Sequence, residues 1–136
     1  MKKLKNVLLV DDDSITNFIN KSIISDIEVS ENIYTAENGM EALEILKSHC
    51  QEKNISNFCP SIVFLDLNMP LMDGFEFLQM FGNMNEFENQ CIPIIVLTSS
   101  ENAQDIQKAK QLKVNGYVCK PLTAEKVTDV INEIFV

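Results

Sequence analysis

Four apolar segments of this 136-residue chain end in residues whose side chains can take part in chemistry. Asp11 and Asp12 follow the first segment, and Asp66, Thr98 and Lys120 follow the others. Carboxylates that lie close together repel one another, so near neutral pH they must share a proton or a cation. Mg²⁺ takes oxygen ligands and keeps several waters, which suits a shallow site of two carboxylates and a carbonyl. A carboxylate beside such an ion can attack a phosphoryl group, while the Thr98 hydroxyl and the Lys120 ammonium stabilise the developing charge. The residue types therefore indicate magnesium-dependent phosphoryl transfer onto a carboxylate.

Predicted strands would bring these side chains together. Short apolar runs at 6–10, 62–65, 93–97 and 117–119 are typical of buried strands, and 33–36 is a weaker run that suits the edge of a sheet. In a parallel sheet the carboxyl ends of the strands share one edge, where open α/β folds bind their ligands. We therefore expect the four polar strand ends to lie at one site.

Apolar residues at helical spacing follow each predicted strand. The first helix is expected to begin at Ser14, a suitable N-cap, and its apolar positions are Ile15, Phe18, Ile19 and Ile23. Further helices are predicted over 40–47, 75–84 with Asp73 as cap, 101–112 and 123–136. Strands and helices in alternation predict an α/β fold whose parallel sheet is covered on both faces.

The helix over 101–112 has only a sparse apolar stripe, so we expect it to be loosely held. The polar stretch 49–60 has no clear period and is interpreted as an insertion, either a partner contact or a tolerated loop.

Length and composition predict one globular domain over residues 1–136. The formal charge of −9 disfavours binding to nucleic acid and to an anionic membrane surface. No apolar run approaches the roughly 18 residues of a membrane helix, and the first apolar run is too short for an export signal. We therefore expect a cytoplasmic protein that contacts neither nucleic acid nor membrane.

The four cysteines of the chain lack a CxxC spacing, so we expect reduced thiols, with Cys91 and Cys119 in or beside apolar segments.

Five motifs occur in an order that is typical of one protein family. They are Asp11-Asp12, Asp66 within 65–70, Asp73-Gly74, Thr98 and Lys120-Pro121. With these motifs the chain resembles, over essentially its full length, the receiver domain of two-component response regulators of the chemotaxis type. The resemblance implies a flavodoxin-like, three-layer, doubly wound fold with a five-stranded parallel sheet in the order 2-1-3-4-5. Each motif is weak alone, but five in this order are specific.

The resemblance also implies roles for the matching residues. Asp66 would accept the phosphoryl group, and Thr98 and Lys120 would hold its oxygens. A cis bond before Pro121 would direct Lys120 into the site. Tyr117 matches the aromatic position that swings inward as the Thr98 hydroxyl moves towards the phosphoryl group.

A magnesium site is implied at the same place. Asp12, Asp66 and the backbone carbonyl of Asn68 would ligate Mg²⁺, and Asp11 would contribute through water. Asp13 is interpreted as a solvated acid at the start of a helix, where the helix dipole favours negative charge.

The expected partners are a sensor histidine kinase or a histidine phosphotransfer protein as donor, and an unknown downstream protein. Phosphorylation would switch the surface of the last two helices and the last strand. The chain is therefore expected to be a phosphoacceptor and not an enzyme, with no attached output domain. Two alternatives remain: an unphosphorylated pseudo-receiver that acts only as a binding module, and a small haloacid-dehalogenase-type phosphohydrolase with Asp11 as nucleophile.

Overall fold

The computed structural model describes residues 4–49, 62–67, 74–82, 92–98, 107, 110–111 and 114–135. Five strands lie within these ranges, and all of their pairings are parallel. They are β1 (Leu4–Val10), β2 (Ser30–Ala36), β3 (Ile62–Asp66), β4 (Ile94–Thr98) and β5 (Gly116–Cys119). The sheet has the order β2-β1-β3-β4-β5, which confirms the predicted topology and places β2 at an edge.

Four helices have bounds within the described residues: α1 (Ser14–Asp26), α2 (Gly39–His49), α3 (Gly74–Gly82) and α4 (Ala124–Ile134). Of the helix predicted over 101–112, residues 107, 110 and 111 are described and are helical. The predicted insertion lies outside the described residues, except that His49 ends α2. Asp73, predicted to cap α3, also lies outside them.

Alternate residues of the central strands fill two hydrophobic clusters, one on each face of the sheet. Leu8 and Val10 of β1 belong to the cluster that contains side chains of α2 and α3. Val7 and Leu9 belong to the other, which contains side chains of α1 and α4. Every residue of β3 and β4 is buried, because helices cover both faces of these strands. This double packing fixes the strand ends that carry Asp66 and Thr98.

Helix α1 differs from the sequence prediction at its start. Its N-cap is Asp13, not Ser14: the Asp13 carboxylate accepts a hydrogen bond from the amide of Ile15 at 3.0 Å and from the hydroxyl of Thr16 at 3.0 Å. These hydrogen bonds hold the pKa of Asp13 below 3.8, first through Thr16 and then through Ile15. A carboxylate is therefore the stronger cap here, and Ser14 becomes the first helical residue.

Three of the four apolar residues that predicted α1 are exposed, and the fourth, Ile23, is partly buried. Ile15, Phe18 and Ile19 are 68, 71 and 50% exposed, whereas the buried residues of α1 are Asn17, Asn20 and Ile24. Cys119, which the sequence places in or beside an apolar segment, is exposed on β5 as a free thiol. Among the described residues, no helix combines the length and the apolar character that crossing a bilayer requires.

Candidate functional site

Parallel pairing of the two central strands places Asp11 and Asp66 side by side. Val10 pairs with Leu65, and the residue that follows each of them in the chain is an aspartate. Both carboxylates are buried, whereas Asp12 is exposed. One oxygen from each of the three side chains lies within 4.8 Å of the others. The structure thus brings together three of the carboxylates that the sequence singled out.

Lys120 reaches the same point from the other side of β3. Because β5 pairs with β4, the amide of Lys120 donates to the carbonyl of Thr98 at 2.7 Å. The Lys120 ammonium lies 3.0 Å from Oδ2 of Asp11 and 3.3 Å from Oδ1 of Asp66. The peptide bond between Lys120 and Pro121 is cis, as the resemblance implied. One ammonium therefore offsets part of the charge of the buried carboxylates.

These contacts raise the pKa of Lys120. Burial is the largest single effect and acts to lower the pKa, but the hydrogen bond that the ammonium donates to Asp11 and the charges of Asp66 and Asp11 together outweigh it. The pKa therefore lies above the usual 10.5, and the amine is charged at neutral pH.

Asp11 is held in place by hydrogen bonds at its backbone and its side chain. The amide of Asp13 donates to Oδ1 of Asp11 at 2.9 Å. The buried side-chain amide of Asn17 donates to the carbonyls of Asp11 and Ala36, at 2.9 and 3.1 Å. Asn17 thereby ties the ends of β1 and β2 to α1. Sequence reasoning missed this residue, because a single asparagine between apolar helix positions has no spacing that marks it as buried.

Gly74 lets α3 begin directly against the end of β3. Its amide donates to the carbonyl of Leu67 at 3.0 Å. A Cβ at this position would lie 2.6 Å from the carbonyl oxygen of Asp66 and 2.7 Å from Cα of Leu67. Both are backbone atoms, so no side-chain movement could make room. Gly74 therefore has a role that the sequence did not predict, which is close packing behind Asp66.

The three carboxylates fit a hard divalent cation. Oxygens bound to one Mg²⁺ at about 2.1 Å lie at most about 4 Å apart, so only small side-chain rotations separate these carboxylates from that spacing. Three carboxylates and one ammonium leave two negative formal charges to balance, which a divalent cation can do. The carbonyl of Asn68, the remaining predicted ligand, lies outside the described residues.

The predicted switch residues lie on the two strands at the β5 side of the sheet. Thr98 is buried at the end of β4. Tyr117 is 41% exposed on β5, and the ammonium of Lys110 lies 5.5 Å from the centroid of its ring. This distance is within the range of a cation–π contact. The aromatic ring is thus on the outer surface in this conformation.

The sequence of this chain is similar to known proteins over nearly its whole length. The family model described as response regulator receiver domain matches residues 7–132. Chemotaxis protein CheY-3 of Vibrio cholerae is 31% identical over 135 residues, which are 99% of this chain and 95% of that protein.

This chain is also similar in fold to solved structures of response regulators. A two component response regulator from Cytophaga hutchinsonii is 32% identical, with a TM-score of 0.85 and coverage of 98% of both chains. A chain of the CheX–CheY–BeF3–Mg²⁺ complex from Borrelia burgdorferi is 28% identical, with a TM-score of 0.77 and coverage of 97% of this chain and 90% of that one. The flavodoxin-like receiver fold expected from the sequence is therefore confirmed.

Proposed function

Because this chain belongs to the response regulator receiver domain family, we propose that Asp66 accepts a phosphoryl group from a phosphohistidine of a sensor kinase or phosphotransfer protein. Members of this family are phosphoacceptor switches and not enzymes in the main sense. The observation that carries the proposal is the buried Asp66 carboxylate, which lies 3.3 Å from the Lys120 ammonium and within 4.8 Å of carboxylate oxygens of Asp11 and Asp12. We also propose that residues 1–136 form a single receiver domain, of which the family model matches 7–132.

In the proposed step, a carboxylate oxygen of Asp66 forms a bond to phosphorus as the bond between phosphorus and the donor's imidazole nitrogen breaks. The nitrogen leaves with the electron pair and takes up a proton. Lys120, charged at neutral pH, donates to a phosphoryl oxygen from its position 3.3 Å from Asp66. The Thr98 hydroxyl, at the end of the neighbouring strand, is the second donor.

Mg²⁺ is the proposed cofactor. Asp12, Asp66 and the Asn68 carbonyl would ligate it, and Asp11, held by Asn17, would contribute through water. When bound, the ion balances the charge that the carboxylates and the phosphoryl oxygens bring together. The related CheX–CheY complex from Borrelia burgdorferi contains BeF3 and Mg²⁺, which supports this assignment.

Phosphorylation is proposed to switch the surface formed by β5, α4 and the helix predicted over 101–112. The Thr98 hydroxyl moves towards the phosphoryl group, and the exposed ring of Tyr117 swings inward into the space that this opens. In the present structure the ammonium of Lys110 lies over this ring, and the inward movement would separate the two. A downstream protein then recognises the altered surface.

The exposed apolar side of α1 is the proposed docking surface for the phosphohistidine donor. Ile15, Phe18 and Ile19 are at least half exposed on a helix that begins two residues after Asp12. Clefts of about 200 and 250 Å³ lie beside this surface, and Phe18 and Lys21 line both. Single exposed apolar residues are ordinary, but three large ones on a helix beside the proposed phosphoryl acceptor support an interface here. A donor bound there has its histidine close to Asp66.

The proposed function is tested by incubating the chain with acetyl phosphate and Mg²⁺ and mapping the modified residue by mass spectrometry. We expect phosphate on Asp66, no labelling of Asp66→Asn, and normal labelling of Asp26→Asn, which alters an exposed acid at the far end of α1. Phosphate on Asp11 would instead support the phosphohydrolase alternative. A chain that neither acetyl phosphate nor any phosphorylated kinase or phosphotransfer domain of its source genome can label would be a pseudo-receiver.

The docking surface has a separate test. Phe18→Gln should slow transfer from the phosphorylated donor domain about tenfold, the effect of losing about 1.4 kcal/mol of contact energy. It should leave labelling by acetyl phosphate unchanged, because that donor needs no protein contact. Met80→Gln, which alters an exposed apolar residue on α3, is the matched control. Equal transfer to the Phe18 variant and the wild type would exclude α1 as the docking surface.

A further inference from the structure

The ammonium of Lys126 bridges two backbone carbonyls on either side of Lys120. Its Nζ donates to the carbonyl of Cys119 at 2.8 Å and to that of Pro121 at 3.0 Å. Cys119 ends β5, and among the described residues no strand pairs with the outer side of β5. Backbone groups on such a side lack the partners that a neighbouring strand supplies. Hydrogen bonds from a charged donor are stronger than those between neutral groups. Lys126 therefore supplies an anchor to a backbone segment at the margin of the sheet.

The place of Lys126 in its helix is unfavourable for a cation. Thr123 is the N-cap of α4, and its hydroxyl accepts from the amide of Lys126 at 3.2 Å, so Lys126 is the third residue of the first turn. The positive end of the helix dipole disfavours a lysine there, and glutamate or glutamine is the usual partner of such a cap. The two carbonyls offset this cost, because they draw the ammonium back over the loop.

We infer that Lys126 is a positioning residue for phosphoryl transfer: it fixes the backbone on both sides of Lys120, so that the Lys120 ammonium stays at Asp11 and Asp66. The inference rests on the proposed function, in which Asp66 is the acceptor. Pro121 has no N–H with which to tie down the segment. On the other side, the amide of Lys120 is bonded to Thr98. Lys126 holds the part of the turn that this bond does not reach.

The geometry explains why the effect should reach the reaction. The Lys120 ammonium touches two carboxylates at 3.0 and 3.3 Å, so a shift of its backbone by about 1 Å is enough to break one contact. A displacement of that size can lower a reaction rate by up to about a hundredfold. A purely stabilising role of Lys126 would change the unfolding free energy and leave the rate unaltered.

The test measures the rate at which acetyl phosphate labels Asp66 at saturating Mg²⁺. Lys126→Met removes the ammonium and keeps an unbranched side chain as far as Cε, and we expect about a tenfold slower rate. Lys126→Arg keeps a charged group that can donate to both carbonyls, so its labelling rate should be within about twofold of the wild-type rate. Glu125→Gln is the matched control in the same helical turn, because its side chain is exposed. If the methionine variant does not fold, Lys126→Gln takes its place.

Repeating the rates in 0.5 M NaCl separates positioning from simple attraction of an anionic phosphodonor. Attraction between exposed charges is largely screened at that ionic strength, so the loss should persist only if the backbone has moved. The amide resonance of Lys120 should also shift in Lys126→Met and not in Glu125→Gln.

Three results would overturn the inference: a wild-type rate in Lys126→Met, an equal loss in Lys126→Arg, or a loss that disappears in high salt. In each of these the labelling of Asp66 in the wild type would leave the proposed function intact. A wild type that is not labelled on Asp66 would overturn the proposed function itself, and the inference with it.

Discussion

The ammonium of Lys120 lies 3.3 Å from the carboxylate of Asp66, so the proposed phosphoryl acceptor is ion-paired in the unphosphorylated protein. The same ammonium bonds to the buried carboxylate of Asp11 at 3.0 Å. Removing one member of such a cluster leaves the others buried and uncompensated, which costs more than the net value of the pair. Lys120 therefore has a structural role in addition to the proposed one in transfer.

Lys120→Met should destabilise the protein at pH 7. Loss of a partner from a fully buried pair costs about 3–5 kcal/mol, and because the Lys120 side chain is a quarter exposed we expect about 2 kcal/mol. Urea unfolding measures the difference, with Lys5→Met, an exposed position on β1, as control. Added Mg²⁺ should recover part of the loss in the Lys120 variant. A variant as stable as the wild type would show that the carboxylates do not need this cation.

The raised pKa of Lys120 predicts how this stabilisation depends on pH. Since the charged form is favoured in the folded state, the contribution is complete below the unfolded value of 10.5 and is lost as the pH rises through the higher folded value. The difference in unfolding free energy between the wild type and Lys120→Met should therefore be level from pH 8 to 10 and shrink at higher pH. Taking the difference cancels the titration of the other lysines. A difference that already declines between pH 8 and 9 would contradict the raised pKa.

Asp12→Asn should have opposite effects with and without magnesium. Asp12 is exposed and lies within 4.8 Å of the carboxylate oxygens of Asp11 and Asp66, so removing its charge relieves repulsion without opening a cavity. We expect the metal-free variant to be more stable than the wild type by about 0.5–1 kcal/mol at low salt. The thermal shift that about 10 mM Mg²⁺ causes in the wild type should be strongly reduced, because a ligand has been lost. Asp26→Asn, far along α1, is the control for the change in net charge. A full magnesium shift in the Asp12 variant would remove it from the ligand set.

Much of this site could be predicted from sequence, because each strand is a short apolar run that ends in a polar residue. In a parallel sheet the residues that follow paired strand ends lie next to each other. Val10 pairs with Leu65, so Asp11 and Asp66 are neighbours. The order of the strands was not readable from periodicity and came from the resemblance to receiver domains. Hydrophobic runs indicate that strands are buried, but they do not indicate which strands are adjacent.

The features that the sequence did not predict are of two kinds. One is which side of a helix faces the core, and the other is contacts between residues that are distant in the sequence. The spacing of Ile15, Phe18 and Ile19 predicted α1 correctly, but periodicity cannot tell a buried apolar face from an exposed binding face. Asn17 and Lys126 are polar residues in helices, and only the positions of the carbonyls they bond to reveal their roles. Such roles require the fold to be known first.

Gly74→Ala and Gly116→Ala form a matched pair that tests the packing behind Asp66. At Gly74 a Cβ would meet backbone atoms of Asp66 and Leu67 at 2.6 and 2.7 Å, so α3 must move away from β3. At Gly116 a Cβ would meet only the terminal methyl of Ile95, at 3.3 Å, which can rotate. We expect Gly74→Ala to lower the unfolding free energy by about 3 kcal/mol and Gly116→Ala to change it by less than about 1 kcal/mol. Because the clash includes the carbonyl of Asp66, the Gly74 variant should also bind Mg²⁺ more weakly, as measured by thermal shift. Equal stability losses in the two variants would show that the start of α3 has room for a methyl group and does not constrain Asp66.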